Sequence, residues 1–355
     1  MASAPHDPVM VDRIVDLLAV TDDRPAVLVD CTLGAAGHAA RLLAASGPNT
    51  HLVGFDRDPD ALDLARRRLS AFADRVTLVH APFDEFTEHV APVVAQHGPL
   101  MGVLYDLGVS SMQLDTPGRG FSFRAFGPLD MRMDTTSPTT AAEFVNAASE
   151  TELERILSEY GEESHARRIA QAIVANRPFT TTVGLADLIA QAMPRTQRRK
   201  DRAKGIHPAT RSFQGLRIAV NSELERFGAS LPQALELAAP APGTSPRDGD
   251  VDGRGGRTAN TPERGGRIAT LAYHSLEDRI AKRFFSDAAD GCICPPGLPV
   301  CGCGRVPLLS HVSRKGERPS EEEVAANPRA RSATLRVVER LSGDETPDDD
   351  QLGTR

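Results

Sequence analysis

The chain opens with apolar, β-rich runs alternating with amphipathic stretches. Ala26-Val27-Leu28-Val29-Asp30 is the first such run, and others lie at 51–56, 76–80 and 103–106. A glycine turn, Thr32-Leu33-Gly34-Ala35-Ala36-Gly37-His38, leads from the first run into a helix expected over 39–45. Asp58-Pro59 opens another helix, expected to reach about residue 72, with proline in the first turn, where its missing N–H costs nothing. Strands separated by helices imply right-handed crossovers and a parallel sheet covered on both faces. The pattern places the chain in the Rossmann-like α/β class.

After the fourth run the alternation stops. Residues 141–193 read as helical, with apolar positions at three-to-four spacing in Glu152-Leu153-Glu154-Arg155-Ile156-Leu157 and across 166–175. A further helix is expected over 213–224. Strand character returns at 268–273, and a last strand is expected at 334–338. The economical organisation is a sheet domain formed by 6–138 and 213–340, interrupted by a helical, substrate-recognising insertion at 139–212. Residues 240–266 are rich in Gly, Pro, Asp and Arg and read as a disordered loop, and 341–355 as an acidic disordered tail.

Composition adds limits. Hydrophobic residues make up 40%, enough for a core, while aromatics are 5% and Trp is absent, so any platform for stacking bases has few rings. The net charge of −7 disfavours a polyanionic partner, but the charge is segregated. Asp344, Glu345, Asp348, Asp349 and Asp350 crowd the tail, whereas Arg195, Arg198, Arg199, Lys200, Arg202, Lys204, Arg211 and Arg217 face Asp201 alone. Local field, not net charge, recruits a phosphate backbone. Asp7, Asp12, Arg13 and Asp16 interrupt the first residues, and no run approaches the ~18 apolar residues of a membrane span, which implies a cytoplasmic protein. Cys31 reads as buried packing. The pattern Cys292-x-Cys294 and Cys301-x-Cys303 suits either a structural zinc or free, redox-sensitive thiols.

In an open parallel sheet, ligands bind outside the carboxyl ends of the strands. Gly34 and Gly37 permit a tight turn and close approach of backbone N–H groups. Asp56 ends the second run, where a carboxylate would grip ribose hydroxyls, and Asp106 ends the fourth. The turn is not G-x-G-x-x-G, which counts against a dinucleotide. Together these features indicate an adenosine-containing cofactor. Read singly, the turn is a plain strand-to-helix connection, and Asp56 a solvated strand end or a cap for the helix at Asp58.

More specific motifs follow. Leu104-Tyr105-Asp106-Leu107-Gly108-Val109-Ser110-Ser111-Met112-Gln113 precedes Arg119-Gly120-Phe121-Ser122-Phe123 and Gly127-Pro128-Leu129-Asp130-Met131-Arg132-Met133-Asp134. Then come Tyr160-Gly161-Glu162-Glu163, His207-Pro208-Ala209-Thr210-Arg211-Ser212-Phe213-Gln214, Arg217-Ile218-Ala219-Val220-Asn221-Ser222-Glu223, Tyr273-His274-Ser275-Leu276-Glu277-Asp278-Arg279 and Asn327-Pro328-Arg329. From His6-Asp7-Pro8-Val9 to Arg340 the chain resembles the family of bacterial ribosomal RNA small-subunit methyltransferases H. The resemblance implies a Rossmann-like class I S-adenosylmethionine-dependent methyltransferase with a helical insertion domain, methylating N4 of the cytidine conventionally numbered 1402 in 16S rRNA, on naked rRNA or the small ribosomal subunit. It also implies that Ala36, Gly37, His38, Asp56, Phe83, Asp106 and Gln113 hold S-adenosylmethionine. Asp56 would accept from the ribose, Phe83 would lie against the adenine, and Asp106 would face the cationic end of the methionine part. Ala35 and Ala36 depart from the more glycine-rich turn of relatives, and the cysteine cluster is outside the shared pattern.

An exocyclic amine is a poor nucleophile, so N4 must be aligned with the sulfonium methyl and lose a proton. Acceptors in 106–111 are expected to hold it, with no proton acceptor assigned. Arg198, Arg199, His207 and Arg211 are RNA-contact candidates, against a solvated basic linker. His274 and Arg279, at the height of the active-site rim, are further RNA-contact candidates, against a helix cap formed by Ser275 and Asp278. Two other readings stay open: another class I nucleic-acid N-methyltransferase, and a non-catalytic ribosome assembly factor that keeps the fold.

Overall fold

The computed structural model describes residues 8–203, 205–242, 264–291, 293–294, 303–313 and 315–342. The chain divides into two compact units, one formed by 1–108 with 226–355, the other by 109–225.

The first unit is built on seven strands: β1 (Ala26–Asp30), β2 (Thr50–Asp56), β3 (Val76–His80), β4 (Leu100–Asp106), β5 (Arg267–Ala272), β6 (Leu309–His311) and β7 (Thr334–Arg340). They form one sheet in the order β3-β2-β1-β4-β5-β7-β6. β1 through β5 pair in parallel, and β7 runs antiparallel to both β5 and β6. This is the Rossmann-like class I methyltransferase sheet. Strand succession proceeds outward from β1 in one direction and from β4 in the other, so the topological switch point lies between β1 and β4.

Every residue of β1 is buried, as expected of a parallel strand covered on both faces. Its alternate side chains feed two cores. Leu28 points to one with Leu18, Leu42, Leu52 and Leu104, while Val27 and Val29 point to the other with Phe55, Val103, Tyr105 and Phe285. Flanking helices α1 (Val11–Leu18), α2 (Gly37–Ala45), α3 (Pro59–Arg68) and α4 (Phe86–His97) supply the covers. The helix expected to reach residue 72 ends at Arg68 and gives way to a 3₁₀ segment, Ser70–Arg75.

The second unit holds α5 (Ser111–Asp115), α6 (Ala141–Ala147), α7 (Glu150–Glu159), α8 (Ala166–Ala175), α9 (Thr182–Ala192), α10 (Arg195–Ala203) and α11 (Thr210–Asn221). The chain then passes through α12 (Glu223–Leu237) back to the first unit, which also carries α13 (Ser275–Ala289) and α14 (Glu321–Ala326). The second unit is wider than the 139–212 read from sequence, because Phe121, Leu129, Met131 and Met133 pack into its core with Leu153, Ile169, Ile189 and Leu216. The basic stretch is helix α10, not a linker. Most of 240–266 and of the 341–355 tail lies outside the described residues.

Asn221, 2% exposed, fastens the irregular 131–133 stretch to α11. Its Oδ1 accepts from the Met133 N–H at 2.8 Å and its Nδ2 donates to the Met131 carbonyl at 2.8 Å. Asn221→Ala strands both backbone groups in the core, and each stranded group costs about 1–3 kcal/mol. A clear fall in the urea midpoint is therefore expected; an unchanged midpoint refutes the fastening role.

Candidate active site

Three carboxylates stand at the carboxyl ends of adjacent parallel strands: Asp30 on β1, Asp56 on β2 and Asp106 on β4. Asp30 is 1% exposed, accepts from the Thr32 N–H at 3.1 Å, and is pushed up to about 6 by burial. Asp56 is likewise pushed up to about 6 by burial, against the backbone hydrogen bonds that favour its charge. Its Oδ2 accepts from Gly34 N–H and its Oδ1 from Asp58 N–H, each at 2.8 Å. Asp58, not Asp56, caps α3, accepting from Asp60 N–H at 3.1 Å.

The glycine turn is drawn in by that bond. Gly34 and Ala36 both adopt left-handed backbone, with φ of 52° and 58°. For alanine this conformation costs about 1–2 kcal/mol, held here at a position that is fully buried. No side chain caps α2, so the N–H groups of its first turn keep their capacity for a ligand acceptor, and the helix dipole favours an anion there. Glycine at 37 permits the close approach of Pro8, whose Cγ would lie 2.4 Å from a Cβ there.

Asp106 is the hub. Its backbone N–H donates to Thr32 Oγ1 at 2.7 Å, and the Tyr273 hydroxyl donates to its Oδ1 at 2.9 Å. His38 Nδ1 lies 3.4 Å from its Oδ2. His38 Nε2 is 2.9 Å from the Val9 carbonyl, which can only accept, so Nε2 carries hydrogen. That leaves Nδ1 as the ring nitrogen facing Asp106. Burial pushes the Asp106 carboxyl up, and His38 and the Tyr273 hydrogen bond oppose that shift by favouring the carboxylate. Burial also drives the Tyr273 phenol well above its ordinary value, which keeps it a donor. Glu277 fixes the turn after β5, its Oε2 accepting from the N–H groups of Tyr273 at 2.9 Å and His274 at 3.3 Å.

Of the residues expected to hold a cofactor, Ala36, Gly37, His38, Asp56 and Asp106 surround this strand edge. Phe83 follows β3, half-buried and edge-on to Tyr105 at 5.7 Å. Gln113 belongs to the second unit, where it closes a capping box: its Oε1 accepts from Ser110 N–H at 3.1 Å while its own N–H donates to Ser110 Oγ at 3.2 Å. The RNA-contact candidates divide too. Arg198, Arg199, His207 and Arg211 lie in the second unit, His274 and Arg279 in the first. The helix after β5 begins at Ser275 with His274 as its N-cap and Glu277 at the third helical position, so Ser275 is the first helical residue, not the cap; Asp278 pairs with Arg336 at 2.7 Å.

Sequence reasoning missed Asp30, Thr32 and Tyr273. For Asp30 the signal was present, an acid ending a strand, the same one that picked out Asp56 and Asp106. Cys31 is buried among the apolar side chains of the sheet, and burial raises its thiol well above the ordinary value. Cys292 and Cys301 lie outside the described residues. Among the described residues, Cys294 and Cys303 included, no group of three or more His, Cys, Asp or Glu could hold a metal, and zinc is not assigned. Nor, among them, is any helix long and apolar enough to cross a membrane.

The strand edge thus offers a carboxylate suited to vicinal hydroxyls at Asp56, an uncapped helix start suited to an anion at α2, and further carboxylates at Asp30, buried, and Asp106, half-buried. The sequence profile of the MraW methylase family matches residues 3–242 and 257–341. The ribosomal RNA small subunit methyltransferase H of Syntrophotalea carbinolica is 45% identical over 339 residues, covering 95% of this chain and 98% of that protein. The protein of that name from Symbiobacterium thermophilum is 46% identical over 346 residues, covering 96% and 98%. That of Mycobacterium sp. (strain KMS) is 46% identical over 348 residues, covering 96% and 85%.

Proposed function

The chain belongs to the MraW methylase family, and on that basis we propose that it transfers methyl from S-adenosylmethionine to N4 of a cytidine in the small-subunit rRNA, the one conventionally numbered 1402. The observation that carries this reading is the Asp106 carboxylate, held at the switch point by Tyr273 and facing His38.

Bound S-adenosylmethionine supplies an electrophilic methyl on a sulfonium. Asp56 accepts from the ribose hydroxyls, keeping its bonds to Gly34 and Asp58 through its other lone pairs. Phe83 offers a half-buried ring to the adenine. The open N–H groups of α2 at Gly37 and His38 take the amino-acid carboxylate. Asp106 accepts a hydrogen of N4, which lines the amine up and gives its proton a place to go as nitrogen becomes positive. A target base has to be unpaired or flipped to reach a site at a sheet edge.

The test is transfer of labelled methyl to small subunits from a strain lacking the enzyme, to naked 16S rRNA and to DNA in parallel, followed by nucleoside analysis and mapping. Label in N4-methylcytidine at one rRNA position is expected. Label on DNA only, or on nothing, overturns the proposal.

Tyr273 acts through Asp106. Tyr273→Phe removes the only hydroxyl that donates to the carboxylate among the described residues. A hydrogen bond to a charged group contributes about 1.5–3 kcal/mol, so kcat is expected to fall roughly ten- to a hundredfold with a displaced pH–rate profile. The cofactor dissociation constant should change little. A purely structural role would lower the melting temperature and leave the profile in place.

A further inference from the structure

Phe126 is the most exposed large apolar side chain among the described residues, 75% accessible. It does not hang from a loose loop. The carbonyls on either side of it, Ala125 and Gly127, both lie 3.4 Å from the hydroxyl of Thr182, and Gly127 also accepts from the Thr182 N–H at 3.1 Å. Thr182 itself is fully buried. Gly127 is pressed against backbone, since a Cβ there would meet the Pro117 carbonyl at 2.1 Å. The ring is therefore displayed by a fixed loop that could have turned it inward, as it does Phe123.

Phe123 shows where this loop sits within the second unit. Its ring lies against His207, with centroids 4.6 Å apart, and edge-on to Phe213 at 4.7 Å. His207 follows α10 closely. Among the described residues, Arg195, Arg198, Arg199, Lys200 and Arg202 of α10 have no carboxylate partner. The loop that displays Phe126 is thus joined, through the tilted Phe123–His207 ring contact, to the residue that closely follows a helix of cations. That pairing selects single-stranded nucleic acid, in which every base offers a π-face and every residue a phosphate. Duplex RNA hides its base faces. An apolar protein surface would leave the cations without use.

We infer that Phe126 is a stacking platform for an unpaired base of the RNA substrate, with the α10 cations on its phosphates; this rests on the reading of the substrate as rRNA. Loss of one aromatic stack weakens binding by roughly five- to a hundredfold.

The chain has no tryptophan, so Phe126→Trp creates a lone indole at the platform. Its emission is expected to be quenched, saturably and less at high salt, by a single-stranded oligocytidylate. Phe126→Ala and Phe126→Leu are both expected to raise KM for small subunits within that range, with kcat and cofactor affinity unchanged. Leucine keeps apolar bulk without a π-face, so wild-type KM in Phe126→Leu overturns stacking in favour of an apolar protein contact. Unquenched emission, or wild-type KM in Phe126→Ala, also overturns it. Failure of the wild-type protein to methylate any RNA counts against the substrate reading instead, and the fluorescence titration still reports on the platform.

Discussion

Asp106→Asn is expected to lower the turnover of methyl transfer by roughly two to three orders of magnitude, within the range for losing a positioned proton acceptor. Asparagine fills the same space, and its carbonyl still accepts from the Tyr273 hydroxyl. The bond from the Asp106 backbone N–H to Thr32 does not involve the side chain and survives. What disappears is the charge and the capacity to take a proton. Labelled-methyl incorporation gives kcat and calorimetry gives the dissociation constant for S-adenosylmethionine. Retained affinity with lost turnover assigns Asp106 to the substrate. Lost affinity with normal kcat at saturating cofactor spends the carboxylate wholly on the cofactor and ends that assignment.

Asp56→Ala should raise the cofactor dissociation constant about a hundredfold. Hydrogen bonds to a charged acceptor contribute about 1.5–3 kcal/mol each, and about 1.4 kcal/mol is tenfold in affinity. Alanine also strips Gly34 N–H and Asp58 N–H of their acceptor, so the melting temperature of the free protein is measured alongside, with Asp56→Asn, which keeps one acceptor oxygen, as the second variant. The pH dependence has a definite sign. Burial lifts Asp56 from 3.8 to about 6, and ribose hydroxyls need the ionised form, so affinity should rise through pH about 6 and then level off. The free protein should behave oppositely. Its folded carboxyl binds a proton more tightly than the unfolded one, so that stability is full below about pH 4 and is lost as pH climbs through about 6. Asp30, raised to about 6 by the same cause, adds a contribution of the same sign. Affinity that is flat from about pH 5 to 8 contradicts the role given to Asp56.

Much of the sheet was legible in the sequence because buried parallel strands read as short unbroken apolar runs. The five parallel strands announce themselves that way and antiparallel β7 by its β-branched residues; Leu309–His311, three residues long, does not. The start of the second unit at Val109 was hidden because Phe121, Leu129, Met131 and Met133 enter its core from irregular chain, where no period betrays burial. Helix α10 was hidden because its residues are nearly all polar, leaving no apolar stripe to detect. At the site, Asp56 and Asp106 could be found as acids ending strands. Tyr273 could not, since its hydroxyl reaches Asp106 only because β5 pairs beside β4, a neighbour 167 residues away in the chain.

The interrupted sheet also sets an order of assembly. Translation delivers β1 to β4 first, then the whole contiguous 109–225 unit, and only afterwards β5 and β7. Until then the β4 edge that receives β5 stays unpaired, with its N–H and C=O groups open and apolar side chains such as Leu104 and Tyr105 short of cover. The nascent protein therefore carries a sticky half-sheet through the synthesis of an entire helical unit, the interval in which a chaperone would have most to shield.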